Sequence, residues 1–146
     1  MYSPIKPVFT AHANATGGRN GHSESTDKSV SVNLATPKEM GGPDKPGTTT
    51  PEHLFAVGYA ACFCGALDLV GKKRKIDASM AKVTCSVSLG PREAGGFGVA
   101  VKMRVADASI ATAELKKLVD ETHEQICPYS HATRGNVAIE FEVVGK

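Results

Sequence analysis

At 146 residues, 41% of them hydrophobic and 22% charged, the chain is long enough for one domain with its own core and too apolar to be wholly disordered. Its 17 basic and 15 acidic residues leave a net charge of +2, and only 5% are aromatic, with no tryptophan. That balance argues against nucleic acid or an anionic membrane surface as partner and against a base-stacking platform.

A single domain over residues 1–146 is expected. No stretch reaches the roughly 18 apolar residues of a membrane span. Residues 1–18 hold neither an apolar leader core nor a cleavage pattern, so the cytoplasm is the expected address. The four cysteines are then expected to be free, metal-bound or redox-active, not a structural disulfide framework.

In chain order, a weak extended segment runs through Val8 to Asn14, followed by a glycine-rich loop from Thr16 to His22. Val30, Val32 and Leu34 alternate as in a strand, and a Gly/Pro loop follows at 41–47. Thr50, Pro51 and Glu52 read as N-cap, first position and first turn of a helix. Leu54 to Val70 is apolar on every side, which predicts a helix buried nearly all round and ending at Gly71. The basic run Lys72 to Lys75 then reads as a solvated end that complements the helix dipole. Val83 to Leu89 and Phe97 to Val105 alternate across a glycine-rich turn, as in a hairpin with one buried face. A second helix is predicted from Thr112 to Ile126 and stopped by Pro128. A last strand carries Val137, Ile139, Phe141 and Val143. Hairpins rather than regular βαβ units place the chain in the α+β class.

Cys62 lies inside the first helix, among the small residues Gly58, Ala61 and Gly65. It reads either as a small core hydrophobe or as a nucleophile. Apolar surroundings raise a thiol pKa, so a reactive Cys62 needs a cation from elsewhere in the chain or from a second chain. Cys127, at the end of the second helix, is a candidate partner for a reversible disulfide, although sequence spacing cannot establish that the two meet. Arg19, in its glycine-rich loop, is the candidate cation and otherwise a solvated loop residue. Glu52 is its natural partner and otherwise simple first-turn electrostatics. Ten helical residues separate Glu52 from Cys62, roughly 15 Å. Either the helix bends or the Arg19–Glu52 pair comes from another subunit, and the second option predicts a site at a dimer interface. Cys62-Phe63-Cys64 has the wrong spacing for zinc, and His123 with Cys127 offers only two ligands, so no metal is expected.

Five segments carry a likeness: Thr16-Gly17-Gly18-Arg19-Asn20-Gly21, Thr36-Pro37-Lys38-Glu39, Gly58-Tyr59-Ala60-Ala61-Cys62-Phe63, Cys127-Pro128-Tyr129-Ser130 and Ala132-Thr133-Arg134-Gly135-Asn136. In this order, from about residue 10 to the C-terminus, the chain resembles the organic hydroperoxide resistance proteins, the Ohr branch of the OsmC/Ohr family. The resemblance implies an OsmC-like α+β fold with antiparallel sheets around two central helices, in an intertwined homodimer with two interfacial sites. It implies a thiol peroxidase acting on organic or fatty-acid hydroperoxides, with no resident cofactor. A lipoylated protein or dihydrolipoamide would be the reductant.

By position Cys62 matches the peroxidatic cysteine, Cys127 the resolving one, and Arg19 and Glu52 the pair that supports the thiolate. Tyr59, Phe63, Phe97 and Tyr129 are the expected apolar walls for the substrate. Cys64 departs from the family pattern; two residues on from Cys62 it points about 200° away around the helix, so it reads as a core residue. Cys85, on the buried face of a strand, is not a motif position either. The competing readings are an OsmC-type peroxidase of different substrate preference and a non-catalytic redox-sensing dimer. The turn between Leu89 and Phe97 and the Cys127-Pro128-Tyr129-Ser130 run favour the Ohr branch.

Overall fold

The computed structural model describes residues 3–146; Met1 and Tyr2, the start of the stretch read as lacking a leader, lie outside the described residues. The chain forms two compact units, Met1–Pro51 and Glu52–Lys146.

The first unit is a four-stranded sheet in chain order: β1 (Ala13–Thr16), β2 (His22–Ser25), β3 (Ser31–Leu34) and β4 (Thr48–Thr49). β1/β2 and β2/β3 are antiparallel, and β3/β4 is parallel. Between β1 and β2 the glycine-rich loop makes a 3₁₀ turn, Gly18–Asn20, and places Arg19 on it. Gly17 and Gly18 hold φ of 76° and 60°, a left-handed pair that side chains resist. At Gly21 a Cβ would stand 1.9 Å from the Thr16 carbonyl oxygen, so the closing of this turn requires glycine. The extended segment expected at 8–14 appears later, as β1. β2, whose first residue His22 falls in the expected loop and whose other residues carried no expectation, is entirely polar and is held by its ladder and by the His22 Nδ1–Asn33 Oδ1 hydrogen bond of 2.8 Å.

The second unit opens with α1 (Pro51–Arg74) and continues with β5 (Lys82–Pro91), β6 (Phe97–Ala106), α2 (Thr112–Glu121), a π-helical turn (Thr122–Ile126), α3 (Pro128–Thr133) and β7 (Ile139–Val144). β5 and β6 form the expected hairpin, paired from Lys82↔Ala106 to Pro91↔Phe97. β7 runs parallel to β6. The sheets are therefore mixed rather than purely antiparallel, and the second contains a crossover through α2 and α3. A parallel pair needs such a connection, because a tight turn cannot bring the chain back to the starting end.

Tyr59, Phe63, Leu67 and Val70 of α1, Val101, Met103 and Val105 of β6, and Leu115, Leu118 and Val119 of α2 share one core. Each such burial contributes about 1.5–3 kcal/mol for a large apolar side chain. Phe63 stacks at 5.5 Å on Phe141 of β7.

Two features of α1 differ from expectation. First, the helix is buried on one side only. Val57 is 70% and Leu69 58% exposed, and Ala61 and Gly65 between them are exposed too. These residues recur every fourth position and make one apolar stripe. By length and composition α1 could cross a membrane, with a mean hydropathy of 1.8 over 18 residues, which corrects the reading that no stretch qualifies. Its other face is nonetheless the core of this unit.

Second, α1 passes through Gly71 and ends at Arg74. The stop is a Schellman motif: Lys75 N–H donates to Lys72 O (3.1 Å) and Ile76 N–H to Gly71 O (2.8 Å), with Lys75 at φ 60°. Gly71 serves close approach instead, since a Cβ there would stand 2.6 Å from Ile76 O and 3.1 Å from Ala78 Cβ.

Candidate active site

Cys62 and Cys127 meet. Their sulfurs are 3.7 Å apart, with the Cys127 thiol donating to Cys62, and both are free thiols. Cys62 is half-buried on α1, one position before the core residue Phe63, while Cys127 is fully buried.

The approach depends on how the chain leaves α2. The second helix was expected to run regularly to Ile126, but at Thr122 the register widens. The Thr122 hydroxyl turns back to donate to Leu118 O (2.7 Å), and Cys127 N–H reaches five residues back to Thr122 O (2.9 Å). A π-turn of this kind inserts one residue into the helical path. Pro128 does not simply stop a helix, as expected; it is the first residue of α3, with Cys127 as the N-cap position. Proline suits that place because its missing N–H has no helical acceptor there. The Cys127 carbonyl accepts from His131 N–H (3.0 Å), the first bond of α3.

Tyr59 fastens α3 to α1. Its buried hydroxyl is 2.9 Å from Ser130 Oγ and 3.1 Å from Thr133 Oγ1, and its ring lies 5.8 Å from that of Tyr129. The Tyr129 ring also packs beside Gly58, at a distance where a Cβ would make ordinary van der Waals contact (3.4 Å). Thus fixed, α3 turns the Tyr129 backbone N–H onto the Cys62 sulfur.

Burial is the main influence on the Cys62 thiol and pushes its pKa above the ordinary value of 9.0; the Tyr129 N–H pulls it down, and Cys127 raises it again. A neutral thiol is favoured by these groups alone, and a cation would be needed to hold the thiolate.

An apolar groove of about 450 Å³ adjoins Tyr129, walled by Phe55, Val99, Thr133 and Val137. A second hollow of about 340 Å³ shares Val99, Asn136 and Val137 with it and adds Arg92 and Phe97. A larger hollow, about 890 Å³, lies between the end of α1 and α2 among Arg74, Glu114, Lys117 and Glu121, and neither Cys62 nor Cys127 lines it.

Of the expected substrate walls, Phe97 and Tyr129 are exposed, at 72% and 43%. Tyr59 and Phe63 are fully buried and belong to the anchor and the core. Arg19 stands on the 3₁₀ turn of the first unit and Glu52 in the first turn of α1. α1 is unbroken from Pro51 to Arg74, so the separation of Glu52 from Cys62 along this helix stays at roughly 15 Å. Cys64 Sγ is 3.8 Å from Ala81 O, and burial raises the thiol pKa of Cys85. Sequence reasoning missed Ser130 and Thr133, the Tyr59 anchor and the π-turn. Proline directly after a cysteine, followed by a short polar run, was the available signal for a new helix start.

The OsmC-like protein family model matches residues 42–142. The organic hydroperoxide resistance protein of Xanthomonas axonopodis pv. citri (strain 306) is 48% identical over 140 residues, covering 95% of this chain and 96% of that one. Among solved structures, an organic hydroperoxide resistance protein from Elizabethkingia anophelis, with crystallant-derived thiocyanate bound, superposes with a TM-score of 0.88 at 39% identity. It covers 97% of this chain and 99% of its own. A Vibrio cholerae O1 chain, solved with captopril in one of its active sites, gives a TM-score of 0.87 at 38% identity, covering 98% and 95%.

Proposed function

The chain belongs to the OsmC-like family, on its organic hydroperoxide resistance branch, and from that premise we propose that it is a cysteine-based peroxidase that reduces organic hydroperoxides. The observation that carries the proposal is the 3.7 Å approach of Cys62 and Cys127. In the reaction the Cys62 thiolate attacks the distal peroxide oxygen, the O–O bond breaks, and the alkoxide takes a proton and leaves as the alcohol. Cys62 is left as the sulfenic acid. The Cys127 sulfur then displaces hydroxide, which leaves as water with the Cys127 proton, and a disulfide joins the two residues. An external dithiol, of the dihydrolipoyl class, returns both thiols by exchange and becomes the disulfide itself. No resident cofactor takes part.

Arg19 supplies the positive charge that a buried thiolate needs, and Glu52 holds it by a charge-assisted hydrogen bond. Since Glu52 cannot reach Cys62 along its own helix, the pair acts across a homodimer. The exposed stripe of Val57, Ala61, Gly65 and Leu69 supports that assembly, because contiguous apolar surface of this kind favours burial against another chain. The groove beside Tyr129 accepts the organic chain of the hydroperoxide, fatty-acid hydroperoxides included, with Phe97 further along it. The whole chain acts as one catalytic domain, in the cytoplasm.

The test is turnover. Reduced protein with cumene hydroperoxide and dihydrolipoamide should consume many equivalents of peroxide per chain, and Cys62→Ser should abolish it. Consumption of a single equivalent, with reductant present, would replace the enzyme by a redox sensor; full activity in Cys62→Ser would remove the site.

A further inference from the structure

The widened turn before Cys127 leaves carbonyl groups without their helical partners, and two side chains from the far side of Cys127 take them. Arg134 Nη1 donates to His123 O at 2.6 Å. His131 Nε2 lies 3.2 Å from Gln125 O, and Arg134 Nη2 lies 2.6 Å from His131 Nδ1. A guanidinium nitrogen can only donate, so Nδ1 is the acceptor. The ring hydrogen of neutral His131 is then on Nε2, and it donates to Gln125 O. The network thereby selects one tautomer and closes a loop from α3 back onto the π-turn, with Cys127 at its apex.

α3 is held separately, through the Tyr59 hydroxyl on Ser130 and Thr133. Loss of the Arg134–His131 links would therefore free the π-turn and leave Tyr129 in place over Cys62.

We propose that Arg134 and His131 are positioning residues, a clip that holds Cys127 where its sulfur can close onto oxidised Cys62. The proposal rests on the peroxidase reading and concerns its second step. There the Cys127 sulfur attacks the sulfur of Cys62–SOH, the S–O bond breaks, and hydroxide leaves with the Cys127 proton as water. No further oxidant or reductant enters. The sulfurs must close from 3.7 Å to the roughly 2.05 Å of a disulfide. A clipped turn confines that motion to the side chains, whereas a loose one lets the whole segment drift, and a misplacement of about 1 Å can cost about 10²-fold in rate.

The experiment mixes reduced protein with one equivalent of cumene hydroperoxide. It follows dimedone-trapped sulfenic acid, Cys62–Cys127 disulfide and over-oxidised Cys62 by mass spectrometry after acid quench. In His131→Ala and Arg134→Ala the first oxidation of Cys62 should keep its native rate, which also reports an intact fold. Disulfide closure should slow at least about 10-fold, and over-oxidised Cys62 should accumulate. His131→Gln keeps a donor for Gln125 O and an acceptor for Arg134, and should recover closure to within about threefold of native. Closure at the native rate in both alanine variants would overturn the clip, as would a glutamine variant as slow as His131→Ala. Native protein that forms no Cys62–Cys127 disulfide would overturn the peroxidase reading itself, and the clip with it.

Discussion

Tyr59→Phe isolates the anchor that fixes α3. The direction of each hydrogen bond around the Tyr59 hydroxyl follows from counting protons. Thr133 Oγ1 donates to the Tyr129 carbonyl at 2.9 Å, so toward Tyr59 it can only accept. The Tyr59 O–H therefore donates to Thr133, and the Ser130 hydroxyl donates to Tyr59. Removing the Tyr59 oxygen leaves the fully buried Ser130 hydroxyl without its acceptor. A buried polar group stranded in this way costs about 1–3 kcal/mol, and about 2 kcal/mol corresponds to a fall of about 6–8 °C in Tm for a chain of this length. Urea and thermal unfolding at one fixed protein concentration measure it, since any self-association makes Tm depend on concentration.

The double variant sharpens the reasoning. Ser130→Ala alone should cost about 1 kcal/mol, and Tyr59→Phe/Ser130→Ala should cost less than the sum by about 1 kcal/mol, because the stranded hydroxyl is gone. A Tyr59→Phe protein within about 0.5 kcal/mol of native, or a strictly additive pair, would refute the assignment of donors. The same variant should also raise the pH at which Cys62 becomes alkylatable, since a looser α3 weakens the Tyr129 N–H contact that favours the thiolate.

Three other outcomes follow from separate features. Lys75→Gly relieves the left-handed residue that ends α1 and should stabilise the fold by about 0.5–1 kcal/mol in urea unfolding. Val57→Lys adds charge to the exposed stripe of α1; under the homodimer reading it should halve the mass seen by sedimentation while leaving helix content unchanged. The pKa of His123 is lowered, first by burial and then by Arg134, while its Nδ1 is buried without a hydrogen-bond partner among the described residues. The folded state thus binds fewer protons than the unfolded one below the ordinary value of 6.5. Stability from this residue is complete above that pH and is lost as pH falls through the lower folded value. Urea midpoints should decline on the acid side, and His123→Phe should flatten that decline.

What the sequence made legible, and what it hid, divides along physical lines. The β5/β6 hairpin and β7 were readable because each buries one face, so hydrophobic residues recur with the pleat. β2 was not, because His22 to Ser25 are all polar and their pairing is set by a turn that only Gly17, Gly18 and Gly21 permit. Gly71 misled because glycine serves two purposes. Here it admits the returning chain to the side of α1, and a lysine takes the left-handed place that glycine usually fills. The exposed stripe of α1 was invisible for a related reason: a helix apolar all round carries no mark of which side its own chain will cover.

The cysteine pair depends on the least legible feature of all. Leu115, Leu118, Val119, Thr122 and Ile126 fit an uninterrupted α-helix, and periodicity averages over the one place where the register opens. In an α-helix each residue advances about 100° around the axis, so a single inserted residue redirects everything beyond it by that much. Without the Thr122 turn, Cys127 would leave α2 facing another quarter of the molecule. α3 would then begin off the line that brings Ser130 and Thr133 to Tyr59. The 3.7 Å separation thus depends on the back-turned Thr122 hydroxyl and the buried Tyr59 anchor, besides the His131–Arg134 contacts on the π-turn. The anchor is a tertiary choice, since no window of neighbouring residues contains Tyr59 and Ser130 together, whereas the Thr122 bond lies within its own helix and is hidden because periodicity alone does not mark where a register widens.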